Sequence, residues 1–234
     1  MLTVDFNRFD VRDGHRVLDA GCGGGRHTFR ALMNKCDVWA TDLCKQELQA
    51  VKLGVWDRHN QGYVKGHCLA FQSDIFKLPF PNGFFDRVLV AEVMEHLYED
   101  EKALKELVRV LKEGGKLAVT VPTCFTEKIY RLLSEEYFNT PGGHVRIYHP
   151  FELAEKITRQ GLRIYDVSFA HAIHTPYWIL RCIFGLHDHE ARIPKLYHWL
   201  LVKATVSPFI SKVEKALDHF FPKSIVLYAA KKKE

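Results

Sequence analysis

A glycine-rich turn between a strand pattern and a helix pattern constrains this chain more than any other feature. The run VLDAGCGGG, residues 17–25, leads from a predicted strand over Arg16–Ala20 into a helix over Thr28–Asn34. Glycine lets a backbone turn sharply and approach a ligand closely, and the first turn of a helix has N–H groups to offer. The sequence therefore predicts an α/β fold with a ligand site beside its first strand.

The turn departs from the GxGxxG fingerprint of dinucleotide-binding folds. In either frame the last glycine is missing, because Arg26 or Thr28 stands in its place. The pattern that fits is D-x-G-x-G-x-G over Asp19–Gly25. The loop is therefore suited to a ligand other than a dinucleotide.

Apolar runs alternate with helix-period segments along most of the chain, which is typical of a parallel sheet covered by helices on both faces. Helices are predicted over 45–59, 99–112 and 150–160, and Gly114-Gly115 is expected to end the second of them. The predicted strands are Arg16–Ala20, Asp37–Thr41, Cys68–Gln72, Phe85–Ala91, Lys116–Val121, Arg163–Ala170 and Ser224–Ala230.

The glycine motif resembles motif I of the class I S-adenosylmethionine-dependent methyltransferases, in particular the small-molecule type 11 branch. Three further segments resemble that family in the same order: 72–97, 106–122 and 144–164. The resemblance covers most of residues 12–170. It implies a single domain over 1–234, built on a Rossmann-like seven-stranded sheet that is mostly parallel with an antiparallel last strand. It also implies S-adenosyl-L-methionine as the cofactor.

The resemblance further implies which residues bind that cofactor. All of them follow or end predicted strands, where open α/β sheets bind ligands. An isolated acid at such a place is more often a loop cap or a surface carboxylate, but four acids in one motif series favour binding. The residues are Asp19, Gly21, Cys22, Gly23, Asp42, Leu43, Asp74, Ile75, Ala91 and Glu92.

Each part of the cofactor has a matching group in this set. Backbone groups of Gly21 and Gly23 would approach its amino-acid end. The carboxylate of Asp42 would accept from both ribose hydroxyls. Asp74 would accept from the adenine amine, with the N–H of Ile75 reaching a ring nitrogen.

A general base is needed only if the methyl acceptor must lose a proton. His144 is the best candidate for a base or substrate ligand, because it begins the segment that closes the site in similar proteins. His27, His96 and His149 are the other candidates. For each of them a structural role is the competing interpretation.

Several residues near the C-terminus are of metal-ligand type. They comprise His171, His174 and the run HDHE at 187–190. Their spacing matches no established metal motif, so the sequence predicts no metal site.

Residues 171–223 separate the last two predicted strands, where the family has a short hairpin. The patterns predict three helices in this insertion: 176–185, 196–206 and one from Pro208 to Phe221. The apolar side chains fit extra core, a cap that forms an apolar acceptor pocket, or an interfacial membrane contact. We therefore expect a small-molecule acceptor with a sizeable apolar part, such as a quinone, polyprenyl or other lipid-like molecule.

The charge distribution bears on the class of partner. Residues 195–234 hold eight lysines, no arginine and three acids, so the whole net charge of +5 lies there and the first 194 residues are neutral. A neutral catalytic part disfavours a nucleic-acid partner. A nucleic-acid or protein methyltransferase, and a cofactor-binding protein without catalysis, are the alternatives. O-, N- and C-methylation all stay open.

The chain opens without the charged and apolar regions of a signal peptide, and no apolar run reaches the roughly 18 residues of a membrane span. The six cysteines are scattered, without a CxxC pair. These features predict a cytoplasmic protein with reduced thiols. Any membrane association is expected to be peripheral and to use residues 171–223.

Overall fold

A seven-stranded sheet organises the chain. The strands are β1 (Arg16–Ala20), β2 (Asp37–Asp42), β3 (Cys68–Gln72), β4 (Phe85–Ala91), β5 (Leu111–Pro122), β6 (Leu162–Ala170) and β7 (Ser224–Lys231). They lie in the order β3-β2-β1-β4-β5-β7-β6. The pairs from β3 to β5 are parallel, and β7 runs antiparallel to both β5 and β6. The predicted sheet with its antiparallel last strand is confirmed.

The computed structural model describes residues 2–134, 136–139, 143–185, 191–205 and 207–233. Two 3₁₀ turns occur at Met94–His96 and Ala172–His174. The helices are α1 (Arg26–Met33), α2 (Lys45–Asn60), α3 (Asp100–Val110), α4 (Cys124–Leu133), α5 (Glu136–Asn139), α6 (Pro150–Arg159), α7 (Thr175–Phe184), α8 (Arg192–Thr205) and α9 (Pro208–Leu217).

Two large apolar clusters pack against the sheet. One joins β4 and β5 to side chains of α3 and α6, such as Leu107 and Ile157. The other joins the sheet to α1 and to the N-terminal segment, which contributes Val4, Phe6 and Phe9. Strands covered on both faces carry consecutive apolar residues, which explains the runs Val88–Ala91 of β4 and Leu117–Val119 of β5.

The N-terminal segment is part of this second cluster. Nε2 of His27 accepts hydrogen bonds from the N–H groups of Thr3 (3.2 Å) and Val4 (3.4 Å). The N–H of Asp5 donates to the hydroxyl of Tyr228, at 2.9 Å. Burial lowers the pKa of His27 to about 3, so the ring is a neutral acceptor. The candidate base His27 therefore has a structural role.

The predicted end of α3 is wrong. The helix stops at Val110, and Leu111 already pairs with Phe85 of β4. A register shift follows, because Phe85 pairs with Leu111 whereas Arg87 pairs with Lys116. Gly114, with φ of +72°, lies inside this bulge instead of ending a helix.

The three-helix prediction for the insertion is confirmed, with shifted ends. α8 begins at Arg192, and α9 ends at Leu217, whose carbonyl accepts from the N–H groups of both Phe220 and Phe221 in the turn that follows. The HDHE run at 187–190 lies outside the described residues. In the described part of the chain, the helices are all too short or too polar to cross a membrane.

Candidate active site

The glycine loop is tied to the end of the neighbouring strand β2. The N–H groups of Gly21 and Cys22 both donate to the carbonyl of Thr41, at 2.7 and 2.9 Å. The N–H of Gly23 donates to Oδ2 of Asp42, at 2.9 Å. These N–H groups thus have protein partners, and the carbonyl of Cys22 also accepts, from the N–H of Gly25 at 2.9 Å, so the loop backbone is held by the protein itself.

Two of the glycines are required for different reasons. Gly21 has φ of +72°, and a Cβ there would lie 2.4 Å from Cγ2 of Val93. Gly23 has φ of +47°, but a Cβ there would meet no atom within 4 Å. The loop is therefore packed closely on one side and open at Gly23, where a ligand can approach the backbone.

Asp19 lies buried beneath the loop. Its Oδ2 accepts from the hydroxyl of Thr28 at 2.7 Å, while Oδ1 is buried and has no hydrogen-bond partner among the residues that the structure describes. Burial raises the pKa of Asp19 to about 6, against the lowering effect of Thr28. An unpaired buried carboxylate oxygen is a strong acceptor for a cationic group.

Asp42 joins two loops. Its Oδ1 accepts from the N–H of Cys44 at 2.8 Å, in addition to the bond from Gly23. A carboxylate offers about four lone-pair sites, so two remain for hydroxyl donors. The neighbouring Leu43 is exposed, and its carbonyl accepts from Nε2 of Gln72 at 2.9 Å, which links the ends of β2 and β3.

Asp74 and Ile75 form a turn after β3. Oδ1 of Asp74 accepts from the N–H of Phe76 at 2.9 Å, so this exposed carboxylate caps its own turn. Ile75 is buried in the cluster formed with α3 and α6. Binding of adenine at this turn stays a prediction.

Ala91 and Glu92 end β4, and the carboxylate of Glu92 turns toward β5 and β7. It accepts from the hydroxyl of Thr120 (2.7 Å) and from that of Ser224 (3.2 Å), with Lys223 Nζ 3.5 Å away. Its backbone is left-handed, with φ of +56°. Such strain in a residue other than glycine is typical of functional clefts.

His144 is paired with a buried carboxylate. Its Nδ1 donates to Oε2 of Glu127 at 2.6 Å, and Glu127 on α4 is only 1% exposed. The hydroxyl of Tyr137 donates to the other oxygen of Glu127, at 3.2 Å. With Nδ1 protonated, the basic lone pair of the neutral His144 ring is on Nε2.

The turn after β4 anchors the segment that carries His144. Nδ1 of His96 donates to the carbonyl of Gly143 at 3.1 Å, and the N–H of Val145 donates to the carbonyl of Glu95 at 2.9 Å. The rings of His96 and His144 lie 4.9 Å apart in an edge-to-face arrangement. His96 is therefore an anchor of the site.

His149, in contrast, lies away from these contacts. It precedes Pro150 at the start of α6 and stacks on Phe151.

Glu95 is buried beside the pair of His96 and His144, and neither of its carboxylate oxygens has a hydrogen-bond partner among the described residues; the nearest cation-forming atom is Nε2 of His96, 4.0 Å from Oε1. Burial and the nearby Glu92 raise its pKa well above the usual value. Ligand atoms of Glu95, His96 and His144 lie within 4.8 Å of one another. This side of the cleft therefore encloses several groups that can exchange protons.

Aromatic rings line the same side. The ring of Tyr137 lies 5.5 Å from that of His144 and 5.9 Å from that of Trp178. Trp178 is on α7, so the insertion contributes a wall next to the histidine. Flat aromatic walls suit a planar apolar ligand.

Comparison with known proteins fits these features. Residues 18–119, which include the glycine loop and β4, match the family model described as a methyltransferase domain. This similarity supports a class I S-adenosylmethionine-dependent methyltransferase domain, with S-adenosyl-L-methionine as its cofactor.

The relatives match in this domain. A ubiquinone/menaquinone biosynthesis C-methyltransferase of Chromobacterium violaceum is 38% identical over 112 residues, which is 47% of this chain and 43% of that protein. A ubiquinone biosynthesis O-methyltransferase of Coxiella burnetii is 28% identical over 68% of each chain. This chain thus spans less than half the length of several curated relatives that it matches.

Solved structures extend the similarity of fold to the whole chain. A SAM-dependent methyltransferase of Methanosarcina mazei covers 100% of both chains with a TM-score of 0.67 at 15% identity. This likeness shows the fold alone. The observed strand order and the antiparallel β7 agree with it.

The methyltransferase domain has the features that its cofactor requires. The open space at Gly23 can receive the amino-acid end, and the unpaired oxygen of Asp19 can accept from an ammonium. The two remaining acceptor sites of Asp42 suit a pair of ribose hydroxyls. The residues present therefore fit S-adenosyl-L-methionine, and the individual contacts stay predictions.

Sequence reasoning missed the partners of His144. Glu127 and Tyr137 lie on α4 and α5, which were not predicted. The sequence did contain a signal for α4, because Thr126, Glu127 and Tyr130, which are buried, are spaced as on one side of a helix. An acid on the apolar side of a helix is rarely buried without a partner, and it could have indicated the site.

Proposed function

We propose that this chain methylates a partly apolar, quinol- or phenol-like acceptor that loses a proton during the reaction. When bound, S-adenosyl-L-methionine supplies a sulfonium methyl group whose leaving group is already activated. His144 takes the acceptor proton on Nε2 as the bond from the methyl carbon to the acceptor forms. With the methyl carbon–sulfur bond broken, the products would be a methylated acceptor, S-adenosyl-L-homocysteine and a protonated imidazole.

The pairing of His144 with Glu127 carries this proposal. A buried carboxylate 2.6 Å from Nδ1 holds the ring in one tautomer and stabilises the imidazolium that forms. Tyr137 fixes the second oxygen of Glu127, which restricts rotation of the carboxylate. The arrangement corresponds to a base and its orienting acid, as in hydrolase triads without the nucleophile.

The acceptor class is supported by the walls and by the relatives. The ring of Tyr137 contacts that of His144, and Trp178 contacts Tyr137 in turn. Two relatives are named for ubiquinone biosynthesis, one as a C- and one as an O-methyltransferase. Methylation at a carbon or at a hydroxyl oxygen releases a proton from the acceptor, which matches a site with a base. A nucleic acid would meet little positive charge in the first 194 residues, whose net charge is zero.

The test is methyl transfer from labelled S-adenosyl-L-methionine to a demethylated quinol with a short prenyl chain. Loss of a general base lowers kcat by about 10²–10⁴-fold. We expect this loss for His144→Asn and a smaller one for Glu127→Gln, while cofactor affinity stays within about twofold of the parent in both. His149→Asn is the matched control, and it should keep full activity. Equal kcat values for parent and His144→Asn would exclude His144 as the base.

We also propose that the insertion contacts an anionic membrane from which the acceptor is drawn. Its outer surface, here called the aromatic face, exposes large apolar side chains; Phe209 is 74% exposed and Phe220 72%. The other exposed members on α8 and α9 are Ile193, Leu196, Trp199, Leu200, Val202, Val213 and Leu217.

The exposed charges on α8 and α9 have one sign. Their acids, Glu214 together with Asp218 just beyond α9, are buried. The exposed charges are all basic: Arg192, Lys195, Lys203, Lys212 and Lys215. A twofold contact with a second copy would bring these like charges together, which disfavours dimerisation through this face. Aromatic rings flanked by lysines suit the headgroup region of an anionic bilayer.

Flotation with vesicles tests this surface. We expect the full chain to float with vesicles that contain phosphatidylglycerol at low salt, and not with pure phosphatidylcholine. The double variant Phe209→Ser/Phe220→Ser should stay at the bottom, whereas Trp56→Ser, an exposed aromatic on α2, should float like the parent. Absence of flotation, or a dimer that the double variant abolishes, would contradict the membrane contact.

A further inference from the structure

Three polar side chains that the proposed reaction does not use meet where the insertion begins. His171 directly follows β6, and His174 ends the 3₁₀ turn that comes next. Glu214 reaches the same place from α9, the last helix of the insertion. His171 and Glu214 are buried, and His174 is half-buried.

The distances between these side chains are suited to a shared ligand. Their ligand atoms lie within 4.8 Å of one another. Nδ1 of His174 is 3.9 Å from Oε1 of Glu214, which is too far for a hydrogen bond. Around tetrahedral zinc, neighbouring ligand atoms are roughly 3.3 Å apart, since the metal–ligand bonds are about 2.0–2.1 Å long. Side-chain movements of about 1 Å would bring the three atoms to that separation.

The same three atoms have no hydrogen-bond partner within the part of the chain that the structure describes. They are Nδ1 of His171, Nδ1 of His174 and Oε1 of Glu214, and all three are buried. Buried polar atoms of this kind are rare in folded proteins, because the hydration they lose must be replaced. In the tautomer with Nε2 protonated, each Nδ1 carries a lone pair, and the three converging lone pairs then match an electron-pair acceptor such as a cation.

The protonation states agree with metal ligation. Burial, followed by the effect of Lys223, lowers the pKa of His174 to about 4, and burial with the neighbouring His174 lowers that of His171 well below its usual value. Both rings are therefore neutral, as metal ligation requires. Burial and the nearby Asp218 raise the pKa of Glu214 to about 7, an effect that a bound cation would oppose.

Nearby charges of both signs act on the site. Arg26 and Lys223 lie close enough to lower the pKa of His171 further. Glu214 and Asp218 supply two carboxylates against these two cations. The two cations and the two carboxylates offset one another. Among the three proposed ligands only Glu214 is charged, so it would be the group that balances a bound dication.

Further residues hold the two histidines in place. Nε2 of His171 is 3.0 Å from Oγ1 of Thr3, so the ring nitrogen opposite the ligand atom has a hydrogen-bond partner. Oδ1 of Asp218 accepts from the N–H of Ala172 at 2.8 Å and thus fixes the turn between the histidines. His171 itself has a left-handed backbone, with φ of +71°. This strain is typical of a residue whose side-chain position matters.

We propose that His171, His174 and Glu214 bind a divalent transition-metal ion, with Zn²⁺ as the best match to two imidazoles and one carboxylate. The ion would join the end of β6 to α9 and so set the position of the insertion on the methyltransferase domain. His171 and Glu214 also line a cavity of about 730 Å³ between the N-terminal segment and α9. This cavity offers the ion a path in and leaves room for a water as fourth ligand.

Titration of the full chain with Zn²⁺, after removal of metals with a chelator, tests the site without any methyl-transfer assay. We expect one ion to bind at these residues, and Co²⁺ to give the intense visible absorption of a tetrahedral site. Glu214→Gln and His171→Gln should weaken binding by more than about 100-fold, and Thr3→Val by about tenfold, as for changes to a ligand's supporting hydrogen bond. Zn²⁺ should also raise the melting temperature of the parent but not that of Glu214→Gln.

Two controls separate this site from the rest of the chain. His219→Gln changes an exposed histidine just beyond α9, and His96→Gln changes the histidine group near Glu95; both should bind Zn²⁺ like the parent. Because glutamine has nearly the same shape as glutamate, Glu214→Gln is expected to fold. It therefore tests the site alone if His171→Gln does not fold. Absence of Zn²⁺ binding to the parent would overturn the proposal, as would binding that survives Glu214→Gln but is lost in His96→Gln.

Discussion

The two halves of the sheet's carboxyl edge satisfy their polar groups in different ways. At β1 and β2, the N–H groups of Gly21, Cys22 and Gly23 all have partners on Thr41 or Asp42. Toward β5, β6 and β7, buried carboxylate oxygens of Glu95 and Glu214 have no hydrogen-bond partner among the described residues. In the first half the loop backbone is already hydrogen-bonded and one oxygen of Asp19 is left over, whereas the second half holds several groups that can take a proton, an acceptor or a metal.

The two halves also differ in how far apart their residues lie in the sequence. The glycine loop and its partners lie on adjacent strands that are close in the chain, so one motif specifies them. The acceptor side combines α4, the segment after α5 and α7, and its contacts depend on how distant elements pack. The domain therefore keeps a fixed cofactor half and adds a separately assembled half in which chemistry and specificity can change.

Removal of the Asp42 carboxylate should have the largest effect on the cofactor half. Two hydrogen bonds to a charged acceptor contribute about 1.5–3 kcal/mol each, so Asp42→Ala should weaken S-adenosyl-L-methionine binding by about 100-fold or more. Isothermal titration calorimetry measures this directly. Asp57→Ala, on the exposed side of α2, serves as control. Parent-like affinity in Asp42→Ala would show that the ribose hydroxyls bind elsewhere.

Substitution of the loop glycines distinguishes packing from backbone strain. Gly21→Ala adds a Cβ 2.4 Å from Val93 in a left-handed backbone, and should cost about 2–3 kcal/mol of unfolding free energy. Gly23→Ala shares only the backbone strain and should cost about 1 kcal/mol. Urea unfolding compares the two. Equal costs would mean that Val93 moves aside freely and does not hold the loop.

The sequence predicted the cofactor half well because its signals are local. The strand ends at Ala20, Asp42 and Ala91 coincide with the predicted ones within a residue. The bulge at the start of β5 escaped prediction, since it arises from pairing between Leu111 and Phe85. Glu127, Glu95 and the group around Glu214 escaped for a similar reason, because only tertiary packing brings them to their partners.

A smaller effect on stability is expected for His27, which holds the N-terminal segment. In His27→Leu the N–H groups of Thr3 and Val4 lose their acceptor, which should cost about 1–3 kcal/mol of unfolding free energy. Burial lowers the folded pKa of His27 to about 3 from a usual 6.5. Its contribution is therefore present above pH 6.5 and lost as the pH falls through 3. The unfolding free energy of His27→Leu should therefore fall less between pH 6.5 and 3 than that of the parent. His219→Leu is the control and should follow the parent. The same pH dependence in His27→Leu and the parent would contradict the structural role of a neutral His27.

The smallest predicted effect is the pH dependence of cofactor binding through Asp19. Burial raises its pKa to about 6 from a usual 3.8, so in the cofactor-free protein its contribution to stability is present below pH 3.8 and lost as the pH rises through 6. Cofactor affinity should change in the opposite direction, because the ammonium prefers the ionised carboxylate. At pH 5 only about a tenth of Asp19 would be ionised, so S-adenosyl-L-methionine should bind up to about tenfold more weakly than at pH 7.5. 5′-Methylthioadenosine, which lacks the amino-acid end, should bind equally at both values, and Asp19→Asn should bind S-adenosyl-L-methionine without this dependence. A pH-dependent affinity that persists in Asp19→Asn would place the titrating group outside the glycine loop.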